Sequence, residues 1–143
     1  MVVKLSIKIL IVGIPEKYHM NDVLSGILMG YLRAQNIEEI TLIGSTSTRG
    51  TLLNYYTLQM FPWDRLSEYD VIVTLSQIKD NTPQAAGSDN MTTDYVNAVT
   101  EFVRSGKGCV AIHVSAVPFN EDFTQMLGGR FINHPPSRNL IFK

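Results

Sequence analysis

Residues 108–119 read GCVAIHVSAVPF. The short apolar run Val110-Ala111-Ile112 suits a buried strand, and it delivers a histidine, His113, before small residues and Pro118 break the pattern. His113 is therefore either an incidental core-edge residue or the side chain that the strand exists to present.

Working outward from this strand, its neighbours have helical spacing. Upstream, Tyr95, Val96, Val99, Phe102 and Val103 fall on one helical face, with Thr92 or Thr93 as a candidate start cap. Gly106 stands where a glycine commonly closes a helix. Downstream, a short helix is expected from about Asn120 to Leu127, ending at Gly128-Gly129. The polar stretch Lys79 to Asn90 collects turn formers and reads as an exposed loop.

The first half repeats the theme. Lys4 to Val12 reads as a strand that becomes continuously apolar, and a helix carrying Val23, Leu24, Ile27, Leu28, Tyr31 and Leu32 follows. Asn21 or Asp22 is its candidate N-cap. Ile40 to Ile43 and Tyr69 to Leu75 read as two further strands, the latter apolar enough for a central position. Residues 45–64 carry no firm periodicity. Short apolar strands alternating with helices predict an open, mostly parallel α/β sheet covered by helices. No repeat or linker divides the chain, so residues 1–143 are expected to form a single domain.

Composition narrows the function. The chain has 143 residues, 45% hydrophobic and 17% charged, which suits an ordinary globular domain. Twelve basic residues against thirteen acidic ones leave a formal charge of −1, which supplies no field for tracking phosphates and argues against a nucleic-acid partner. No apolar stretch is long enough for a membrane span, and the first residues lack the features of a secretory signal. With one cysteine, Cys109, an internal disulfide is impossible, and a reducing, cytoplasmic setting is expected.

The histidines carry the functional reading. In open parallel sheets the ligand crevice lies beyond the carboxyl ends of the strands. His19 follows the first strand, His113 ends the fourth, and His134 lies in NHPP after the short helix. Converging imidazoles could perform acid/base work, and His19 with His113 could hold a divalent ion such as zinc. No HExxH or paired CxxC spacing supports a metal, and each histidine could equally satisfy a local backbone group.

Several stretches together are similar to one family. Ser105-Gly106-Lys107-Gly108, Ala111-Ile112-His113 and Met126 to Phe131 leading to His134-Pro135 resemble the ThuA-like trehalose-utilisation family. Tyr69 to Val73 and the first strand with Tyr18-His19 resemble its upstream segments. The resemblance implies a flavodoxin-like, doubly wound, three-layer α/β/α fold like that of class I glutamine amidotransferases. It also implies a carbohydrate-related function on a sugar-like small molecule, with hydrolase or lyase chemistry if the site is active. His113 would stand at the sharp turn where amidotransferase-like relatives carry a nucleophilic cysteine.

Cys109 lies four residues before that turn, at the start of the strand, and reads as a buried small hydrophobe. Ser115 lacks a GxSxG context, so glutamine amidotransferase activity is disfavoured. Two features depart from the family. Val114 stands where relatives often carry small residues, which implies a narrower pocket. The family runs well past the HPP segment, whereas this chain stops at Leu140-Ile141-Phe142-Lys143, which reads as the start of a strand. A fragment, a truncated product and a shortened variant are all open readings. An edge strand left unpaired by that stop would favour a homo-oligomer.

Smaller features have two readings each. Trp63 could line a sugar-binding face or anchor its loop on the core. Tyr55-Tyr56 and Met60-Phe61 could form an oligomer contact or pack a loop, and Arg130 could meet an anionic group or lie solvated. Glu101 and Arg104 read as a surface pair. The alternative to an enzyme is a non-catalytic ligand-binding or assembly domain of the same fold.

Overall fold

A computed structural model of the chain describes residues 6–13, 20–44, 60–75, 88–112 and 121–129. Four strands pair in parallel in the order β2-β1-β3-β4, with β1 at Ile9–Val12, β2 at Ile40–Ile43, β3 at Val71–Thr74 and β4 at Gly108–Ala111. Helix α1 spans Asn21–Ala34, α2 spans Ser88–Arg104 and α3 spans Glu121–Leu127. A 3-10 turn at Leu66–Glu68 leads into β3. The small flavodoxin-like α/β fold expected from the sequence is present.

Two side-chain clusters, one on each face of the sheet, make the core. On one face Leu10, Val12, Ile43 and Ile72 pack with Tyr95, Val96, Val99 and Phe102 of α2 and with Phe123 of α3. On the other, Ile9, Ile11, Val73 and Leu75 meet Leu28, Met29 and Leu32 of α1. β1 is buried along its whole length because both layers cover it, which is why its sequence is continuously apolar. Fully burying a side chain such as Phe123 contributes about 1.5–3 kcal/mol.

The three α-helices among the described residues end by the same device. Gly106 (φ +93°) and Gly128 (φ +79°) take left-handed backbone after α2 and α3, and Asn36 (φ +63°) does so after α1. After α2, the Gly106 N–H donates to Val103 O and the Lys107 N–H to Phe102 O, a pairing that satisfies carbonyls the helix leaves open.

The helix starts differ from the sequence reading. The N-cap position of α1 is Met20, which makes no side-chain cap bond, and Asn21 is already helical. Helix α2 begins at Ser88, so Thr92 and Thr93 lie inside it and the expected loop is shorter by three residues at its end. Cap propensity is a weak local signal, and tertiary packing of a long apolar face extends a helix beyond it. Of the six apolar residues read on α1, only Leu28 and Leu32 pack on the sheet. Val23, Leu24, Ile27 and Tyr31 are exposed.

Candidate functional site at the carboxyl edge of the sheet

Parallel pairing brings the ends of the four strands to one edge. Pairing also continues one residue past β1, β3 and β4, because Gly13 N–H donates to Ile43 O, Leu75 N–H to Val12 O and Ile112 N–H to Thr74 O, at 2.8–2.9 Å. β1 lies between β2 and β3, so the chain winds outward in both directions from the β1–β3 pair. Crevices in doubly wound sheets open at such a reversal, beyond the carboxyl ends.

The β1–β2 side of this edge is closed tightly. A Cβ on Gly44 would lie 2.7 Å from the Gly13 carbonyl oxygen, closer than real contacts allow. Glycine is needed at position 44 for that approach.

The β3 side carries a polar pair inside the apolar core. Thr74 is fully buried at the end of β3, and Tyr95 of α2 is fully buried against the same face of the sheet. Phe61 packs edge-on against the Tyr95 ring, with centroids 5.0 Å apart. Burial drives the Tyr95 phenol well above its ordinary ionisation range, and the nearby Thr74 side chain opposes that shift. Among the described residues the Tyr95 hydroxyl nevertheless completes no hydrogen bond of normal geometry. Its ring fits the helical face read in the sequence, but apolar periodicity cannot reveal whether its hydroxyl finds a partner.

The opposite edge is structural. Asp70, immediately before β3, accepts from the Lys8 backbone N–H at 2.9 Å and from Lys107 Nζ at 3.2 Å. Its own backbone pairs with Lys8 O and with Gly108 N–H, so one residue joins the starts of three strands. The Lys8 N–H, followed by the Lys107 ammonium, holds its carboxyl below the usual range. The sequence showed only a lone acid before an apolar run.

Cys109 lies in the amino-terminal half of β4, opposite Ile72, and packs against the α2-side core. Burial pushes its thiol up to about 11, which suits a buried small side chain and not an activated nucleophile. Trp63 stacks edge-on against buried Phe61, with centroids 4.6 Å apart, so it anchors its loop on the core. Met60 beside it is exposed. Arg104 pairs with Glu101 at 2.6 Å and reaches Asp122 at 3.8 Å, linking the surfaces of α2 and α3.

His19, His113 and His134 lie outside the described residues, as do Tyr55, Tyr56, Val114, Ser115 and Arg130. Among the described residues no group of three or more His, Cys, Asp or Glu side chains could hold a metal. None of the described helices is long and apolar enough to cross a membrane.

A family model, ThuA (trehalose utilisation), matches residues 30–143, from the second half of α1 to the last residue. The chain belongs to the ThuA family. No curated protein and no solved structure matches it. The matched range includes β2, β3, β4, α2 and α3, and with them the strand that leads into His113. It begins after β1 and after His19, so the family match does not extend to that histidine.

Proposed function

We propose that this ThuA-family chain is a carbohydrate-related enzyme whose site lies at the carboxyl edge of the sheet and centres on His113. Imidazole titrates near neutral pH, so His113 is the acid/base residue in this reading, with His134 and His19 as its partners. The observation that carries it is topological. β1 and β4 run parallel and end at the same edge as β3, and in the sequence His113 follows directly on Ile112, whose N–H still pairs with Thr74 O. The ligand is a sugar or sugar derivative, by family membership. Hydrolysis or elimination on such a molecule suits a site built on proton transfer. A divalent ion held by His19 and His113 is the sequence-derived companion to this reading. The setting is a reducing, cytoplasmic one, in keeping with the lone, protonated thiol.

Thermal melts with a panel of sugars, sugar phosphates and divalent metals test it, run on the native chain and on His113→Ala. A ligand at about a hundred times its dissociation constant stabilises the folded state by about 2.7 kcal/mol. The expected result is such a shift in the native protein, lost in a variant of equal intrinsic stability. Turnover retained in full by His113→Ala would overturn the histidine-centred site. No shift with any ligand would favour the non-catalytic assembly reading, to which the exposed apolar side of α1 lends support.

A further inference from the structure

We draw no further inference here: the strongest candidate, the exposed apolar face of α1 at Leu24, Ile27 and Tyr31, carries none, because nothing in the structure shows what covers it.

Discussion

Gly44→Ala tests the geometry of the carboxyl edge directly. A methyl at position 44 would stand 2.7 Å from the Gly13 carbonyl oxygen, against about 3.4 Å for ordinary contact, so the strands must part by roughly 0.7 Å. The obstacle is backbone. Gly13 is held in register by its N–H bond to Ile43 O at 2.8 Å, so its carbonyl cannot swing aside without loosening the β1–β2 ladder. Overpacking of this kind costs about 1–3 kcal/mol. Alanine returns about 0.4–1 kcal/mol by restricting the unfolded chain, which leaves a net loss of about 1–2 kcal/mol. With a urea slope of about 1–3 kcal/mol/M, the unfolding midpoint should fall by roughly 0.5–1 M with the slope unchanged. The control is the same substitution at Gly26, inside α1, where an added Cβ meets nothing within 4 Å. Measured at high dilution, Gly26→Ala should gain up to about 1 kcal/mol from helix propensity alone. A Gly44→Ala midpoint equal to or above that of the native chain would refute the close approach of the two strand ends.

Two other substitutions address the polar groups at the two edges. Tyr95→Phe removes a buried hydroxyl that makes no hydrogen bond of normal geometry among the described residues, so the variant should be as stable as the native chain or more so, by up to about 1 kcal/mol in thermal melts. A loss of 1 kcal/mol or more would mean that the hydroxyl makes a bond. Asp70→Asn tests the amino edge. The folded-state carboxyl ionises below its ordinary 3.8, so its stabilising effect is complete above that pH and fades as pH falls through and below it. The native chain should lose urea resistance over that acid range, and Asp70→Asn should lose less of it there while being weaker at neutral pH. Parallel pH profiles for the two proteins would refute the role of the carboxylate.

Local patterns carried much of this fold. The strands at Ile40–Ile43 and Val71–Thr74, the apolar face of α2 and the glycine that closes it were readable because each depends on neighbours within a few residues. The same logic reached Cys109, since its place in the strand follows from counting residues back from the strand end. It failed at the start of α2, where Thr92 and Thr93 imitate a cap that the helix passes through. The role of Asp70 was hidden as well, because its partners Lys8 and Lys107 are 62 and 37 residues away.

By itself the sequence determined that short apolar strands alternate with helices, that glycines close the second and third of those helices, and that a histidine follows the fourth strand. Periodicity and capping are short-range, so one chain read in order contains them. Only the tertiary structure decided the order β2-β1-β3-β4, the closeness of Gly44 to Gly13, the burial of the Tyr95 hydroxyl beside Thr74 and which apolar side of α1 faces the sheet. Leu28 and Ile27 are equally apolar neighbours on one helix, yet one is packed and the other is 52% exposed. Burial is set by what arrives from distant parts of the chain, and side-chain chemistry does not encode that.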